Sequence, residues 1–424
     1  MSNKRPREGS LSSPVSAEEP DSHQTPSTPA CAFLFANVFP LELVDYIGSF
    51  LWDSFATLQA VSLTCRDWHT TIRPCIFRAL TINSEHRLKE VERLLDSEPT
   101  IAFWIRELRL KPDPSIALAG PGWGHILHPC AWMFRFPIIL PWKLKKLRAI
   151  ELIGIVEAGW KYRQMAMLLP KFSYFKTVKS LSFIDCRLPK GVIASFISVF
   201  PSMNELRVIN TLDTADTNLN SSDKLPRLGA PQLTSLHLQG GDDVVDLESH
   251  GFLTWMDPRA CLQRLKCLQI RLQHPANVRD FGRMLTVLGP SLQHLDLTIS
   301  YTDVPDDSLP PAVAESLDCS NLLGLCTMHL KPLTHPAIHH FLSNVKSPIL
   351  KNVQFSMCFP WIHCLKVKDY VDFDEHVSSA SKALQEVLFL YTGPLKIDHV
   401  MDKVHKTFSK LSALNVIRVL KEGS

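Results

Sequence analysis

The apolar residues of this chain change period partway along it. From Phe33 to Leu80 they recur every three to four positions. Leu43, Ile47 and Leu51 fall on one stripe, widened by Val44 and Phe50. Leu58, Val61 and Cys65 form a second, with Leu63 and Trp68 beside it. That period predicts short amphipathic helices. Pro40 with Glu42 two places later suits a helix start, because proline presets φ for the first turn and a carboxylate meets the helix dipole. Leu88, Val91, Leu94 and Leu95 continue the helical spacing. From Ile105 the pattern becomes L-x-x-L-x-L, with any aliphatic or aromatic residue at each L. It opens as Ile105, Leu108, Leu110 and Leu147, Ile150, Leu152, and recurs at uneven intervals to Leu411, Leu414, Val416. One such segment arises by chance in apolar strands; a series spaced almost to the end of the chain is a repeat. Helical stripes lie between the segments, at Val192, Phe196, Ile197 and Phe200, at Val278, Phe281, Leu285 and Leu288, and at Ile397, Val400, Val404, Phe408 and Leu411, the last with Asp398 as its expected N-cap.

The helical stretch resembles an F-box. The opening Phe39, Pro40, Leu41, Glu42 and Leu43 is similar to the family's Leu-Pro-x-Glu-Leu, and Ile47 and Leu51 follow as its apolar positions. Ser62, Leu63, Thr64, Cys65, Arg66, Asp67 and Trp68 match its Ser-Leu-x-Cys-x-x-Trp, while Phe77 and Leu80 stand near its closing positions. The segment from Leu51 to Cys65 is longer than the common pattern, which implies a longer first interhelical loop. The resemblance implies binding of a Skp-type adaptor, and through it a cullin-RING ligase, by Phe39, Pro40, Leu41, Glu42, Leu43, Ile47, Leu51, Leu58, Leu63, Cys65 and Trp68. The later series resembles leucine-rich repeats, in which the second and third apolar positions point inward from a short strand. Cys186 and Cys358 sit where that family carries Asn or Cys, whereas Ile155, Gly241 and Val419 depart from it. The expected fold is an α+β repeat: a disordered tail over 1–32, a helical F-box-like module over 33–80, and an irregular leucine-rich-repeat solenoid over 81–424. The expected function is substrate recognition for a ubiquitin ligase. The alternative is a non-catalytic repeat scaffold whose N-terminal helices only cap the solenoid.

Composition narrows the classes. Among 424 residues, 45 Lys and Arg against 42 Asp and Glu leave a net charge of +3, too little to imply a pull toward nucleic acid or membrane. The 11 cysteines are odd in number and scattered, and no apolar signal segment opens the sequence, so reduced thiols in the cytoplasm and/or nucleus are expected. Apolar runs near Ala32–Trp52 and Trp132–Trp142 are broken by charges and prolines, which predicts no membrane span. Residues Met1 to Ala30 are rich in Ser, Pro, Glu and Thr; Lys4, Arg5 and Arg7 could belong to an import signal, though so short a basic cluster more often marks only a solvated terminus, and Ser13, Thr25 and Thr28 each precede proline. Two insertions, Pro112 to Lys143 and Asn210 to Pro231, interrupt the repeat.

No local signature of catalysis is present, and no cofactor is expected. His335, His339 and His340, Cys358, His363 and Cys364, and His125, His128 and Cys130 are clusters, but none has the spacing of a metal site, so no metal is expected. The positions between the buried strand residues share one face. Arg109, Arg207, His237, Arg271, Asp296 and His329 on that face are the candidate contacts to an unknown protein substrate. Acids and bases nearly balance along it, which suits a protein better than a phosphate backbone.

Overall fold

The computed structural model describes residues 40–51, 54–112, 131–155, 168–188, 190–200, 202–211, 231–240, 261–272, 275–300, 317–332, 336–358, 365, 367–380 and 383–422. The chain divides into two compact units, Met1–Arg73 and Pro74–Ser424. The expected disordered tail, Phe39, residues 113–130 and 212–230 of the two insertions, His335, His363 and Cys364 lie outside the described residues, as do the side chains of His339, His340 and Cys358.

The described residues of the first unit form helices. α1 (Leu41–Phe50) follows Pro40, with Glu42 in its first turn; α2 (Phe55–Ser62) and α3 (Arg66–Ile76) follow, and α3 runs past the division. In α1 the buried residues are Val44 and Gly48, so the stripe of Leu43 and Ile47 lies on the exposed side.

The second unit is built on one sheet. Its strands are β1 (Ala79–Ile82), β2 (Glu107–Leu110), β3 (Ala149–Ile153), β4 (Ser180–Ile184), β5 (Glu205–Ile209), β6 (Ser235–Gln239), β7 (Cys267–Leu272), β8 (His294–Ile299), β9 (Thr327–Lys331), β10 (Asn352–Cys358), β11 (Glu386–Thr392) and β12 (Ile417–Lys421), hydrogen-bonded in chain order. Each pairs parallel with the next. This overturns the expected α+β leucine-rich-repeat solenoid: a 12-stranded all-parallel sheet with helices in its connections is an α/β arrangement. The physical reason is the strand direction. Parallel neighbours need a crossover of a dozen or more residues, and the helical stripes between the segments supply it, so strands and helices alternate through one α/β unit. Leu80, read as the end of the helical motif, is the second residue of β1 and pairs with Leu108.

The crossovers hold α4 (Glu85–Ser97), the short α5 (Phe136–Ile139), α6 (Lys190–Val199), α7 (Pro275–Leu285), α8 (Pro336–Ser343), α9 (Val367–Ala380), α10 (Ile397–Thr407) and α11 (Ser409–Ala413). Ser84 caps α4 by accepting from Arg87 N. Asp398 is in the first turn of α10, whose N-cap is Lys396 without a side-chain bond.

Alternation buries one face of the sheet. Leu108 and Leu110, Ile150 and Leu152, Leu181 and Phe183, and their successors to Val387 and Phe389 are buried, forming apolar ladders under the helices. Stacked strands lie about 4.8 Å apart, so each ladder is a continuous apolar row. Phe172 stacks edge-on against Phe136 and Phe196, and Phe408 fills the space between Phe355, Phe389 and Tyr370. The last segment is shifted. Asn415, at φ 58°, turns the chain out of α11, so Ile417 and Val419 pair with Val387 and Phe389, while Leu414 is left exposed. Gly154 (φ 65°), Asp185 (φ 53°) and Asn210 (φ 47°) end β3, β4 and β5 in the same left-handed turn. Asn210 Nδ2 donates to Asp185 Oδ1 across it at 3.1 Å.

Candidate functional site

The face of the sheet opposite the apolar ladders is polar and half exposed. Two ladders of side chains cross it. Glu205, Ser235, Cys267, His294, Thr327, Asn352 and Glu386 occupy one register from β5 to β11; Arg207, His237, Gln269, Asp296, His329, Gln354 and Leu388 occupy the next. Together they line a groove of about 660 Å³.

Hydrogen bonds hold the groove in place. His329 lies 3.5 Å from Asp296 through Nδ1, while its Nε2 meets Ser356 Oγ at 2.9 Å and Gln354 Nε2 at 3.2 Å. The ring is thus held between Asp296 on one side and Ser356 and Gln354 on the other. His294 Nδ1 is 2.5 Å from Thr327 Oγ1. His237 Nε2 is buried with no hydrogen-bond partner among the described residues. Burial holds the His237 imidazolium below its usual range, and the neighbouring Arg207 guanidinium pushes the same way, against Gln239, Asp296 and Glu205. Burial also pushes the Cys267 thiol up, which makes it a poor nucleophile.

Four of the six residues expected to contact a substrate therefore meet in the groove: Arg207, His237, Asp296 and His329. Arg109 and Arg271 do not. Arg109 on β2 is ion-paired to Glu151 at 2.9 Å and to Glu107 at 3.6 Å. Arg271 on β7 donates from Nε to Ser300 Oγ at 3.0 Å and stands one register beyond the second ladder. Cys267 and Glu386 line the groove and were missed by sequence reasoning. Each precedes a buried strand position, as Glu205 and Ser235 do, and that equivalence was the available signal.

A second surface lies on the helical unit. Pro40, Leu41, Glu42, Leu43 and Ile47 are exposed, as are Tyr46, Phe50 (65 %) and Phe55; Leu63 is 82 % exposed. Leu51, Cys65 and Trp68 are half-buried. Leu58, expected among the adaptor contacts, is 1 % exposed and offers no surface to a partner. Cys65 Sγ accepts from Trp68 N at 3.4 Å, which ties the start of α3 to its own cap.

Among the described residues no group of three His, Cys, Asp or Glu side chains converges as a metal site, and no helix is long and apolar enough to cross a membrane. No protein-family model matches the chain, and no curated protein matches it.

Proposed function

We propose that the protein is the substrate-recognition adaptor of a Skp/cullin/F-box type ubiquitin ligase. Its N-terminal helices bind a Skp-type adaptor, the polar groove of the sheet binds a target protein, and the chemistry belongs to the ligase. One observation carries the reading: exposed large apolar side chains crowd the helical unit. Leu41, Leu43, Tyr46, Ile47, Phe50, Phe55 and Leu63 all face solvent within about two dozen residues. Leu41, Leu43, Ile47 and Leu63 are positions the F-box resemblance assigns to the adaptor. Burying the exposed half of such a side chain is worth about 1 kcal/mol, so several together supply the core of an interface. The groove suits a protein target because it mixes Glu205, Asp296 and Glu386 with Arg207, polar amides and hydroxyls. In this reading the protein works in the cytosol or nucleus, where the ligase does.

The test is co-purification with a Skp-type adaptor. Ile47→Asp with Leu63→Asp places two charges in the apolar surface and is expected to abolish capture. Both residues are exposed, so the fold is expected to survive, which circular dichroism verifies. Undiminished capture by the folded double variant would refute the assignment.

A further inference from the structure

We propose that the edge of the sheet at which β2, β3 and β4 begin is a docking surface for a bilayer bearing anionic phospholipid headgroups. Three turns enter these strands, over residues 103–106, 142–148 and 174–179, and every charged residue in them is Lys or Arg. The turns are bonded into one body. Arg106 Nη1 donates to Lys146 O, Thr177 Oγ1 donates to Leu147 O at 2.6 Å, and the rings of Trp142 and Tyr174 meet at 5.4 Å.

Three of the basic residues occupy neighbouring positions at the entry to adjacent strands. Arg148 N donates to Arg106 O and Lys179 N to Arg148 O, each at 2.7 Å, so Arg106, Arg148 and Lys179 follow one another along a single backbone ladder. Like charges set side by side across strands cost stability. Lys145, Lys146, Arg148, Lys176 and Lys179 are exposed, and no carboxylate among the described residues pairs with them. The nearby Asp96 is taken by Lys143. A cluster of like charges with no carboxylate of the described residues paired with it suits an external anion.

Aromatic residues decide which anion. Trp142 (67 %), Tyr174 and Phe103 are exposed among the lysines. Single-stranded nucleic acid needs open ring faces on which bases stack. Here the ammonium of Lys146 sits over one face of the Phe103 ring at 5.1 Å, and Trp142 and Tyr174 lie against each other at a 35° tilt, so one face of each ring is already engaged. Protein interfaces are depleted in lysine, and this surface is lysine-rich. Lysine with tryptophan and tyrosine is the composition of the bilayer interface, where the rings sit at headgroup depth and the ammonium groups meet anionic lipid.

The experiment is co-sedimentation of the full chain, with its adaptor if it needs one for solubility, with phosphatidylcholine vesicles containing about 30 % phosphatidylserine. Binding is expected to the anionic vesicles and not to phosphatidylcholine alone, and to fade as salt rises. Lys145→Gln with Lys146→Gln is expected to weaken it about 30-fold, from roughly fivefold per cation. Trp142→Ser, at an exposed position, is expected to weaken it further without loss of fold. No sedimentation, equal sedimentation with neutral vesicles, or tighter binding at the same salt to a single-stranded oligonucleotide or polyglutamate would overturn the proposal. None of these outcomes bears on adaptor capture, so the two readings fail separately.

Discussion

Asp374 is the one buried acidic or basic residue among the described positions, and removing it tests how the C-terminal helices are locked. Its Oδ2 accepts from Lys410 N and its Oδ1 from Leu411 N, each at 2.9 Å, so one carboxylate on α9 caps the start of α11. Hydrogen bonds to a charged group contribute about 1.5–3 kcal/mol each, and a buried donor left unpaired costs about 1–3 kcal/mol. Asp374→Ala removes both acceptors; the Leu411 amide is buried and stays dry, while that of Lys410, in an exposed residue, recovers a water. The expected loss is about 3 kcal/mol. Asp374→Asn keeps one oxygen, and its amide nitrogen faces one of the two donors, so about half of that loss is expected. Urea unfolding gives the totals. Native-state amide exchange at Leu411 localises them, with protection falling in the order wild type, Asn, Ala. Asp374→Ala within about 0.5 kcal/mol of wild type, or Asn as damaging as Ala, would refute the reasoning.

Other outcomes follow from the same geometry. His237 is held neutral, so the unfolded chain binds the extra proton: its contribution to stability is complete above the unfolded value near pH 6.5 and is lost as pH falls from there toward the depressed folded value. His237→Gln is expected to flatten that part of a stability profile measured from about pH 7 to 5; an unchanged slope contradicts the assignment. The Cys186 thiol, buried and donating to Leu152 O, is pushed up to about 11, so it is expected to resist alkylation at neutral pH until the protein unfolds, as mass mapping reveals. Arg109→Ala is expected to cost about 1 kcal/mol or less, because its ion pairs are partly exposed. It is expected to leave target binding unchanged, whereas Arg207→Ala weakens it, and equal effects on binding would remove the distinction between the two residues.

Much of the sheet was legible in the sequence because alternation is read directly: every L-x-x-L-x-L segment from Ile105 to Phe389 marks a strand whose second and third apolar positions are buried. The class was misread because a strand's direction is not written in its side chains. Only the ladder shows that all neighbours run parallel. The last strand slipped because Asn415 adopts a left-handed conformation that Leu411, Leu414 and Val416 conceal by continuing the spacing. On α1 the periodicity was visible, yet the sequence does not say which stripe turns inward: the small residue Gly48 and Val44 are buried, and Leu43 and Ile47 are not. The groove was half legible. Arg207, His237, Asp296 and His329 were identified as outward-facing, but the clamping of Arg109 by Glu107 and Glu151 depends on which strands become neighbours. Averaging charge over the chain likewise hid the cations at the edge of β2 to β4, since +3 in total says nothing of where they gather.

The central claim is that the exposed apolar helices are one half of an interface with a Skp-type adaptor. Light scattering on the full chain, expressed alone and co-expressed with that adaptor, tests it most directly. The account predicts self-association or poor solubility alone and a monodisperse one-to-one complex together. A stable, soluble monomer without the adaptor, unchanged by adding it, would contradict the account and favour a scaffold.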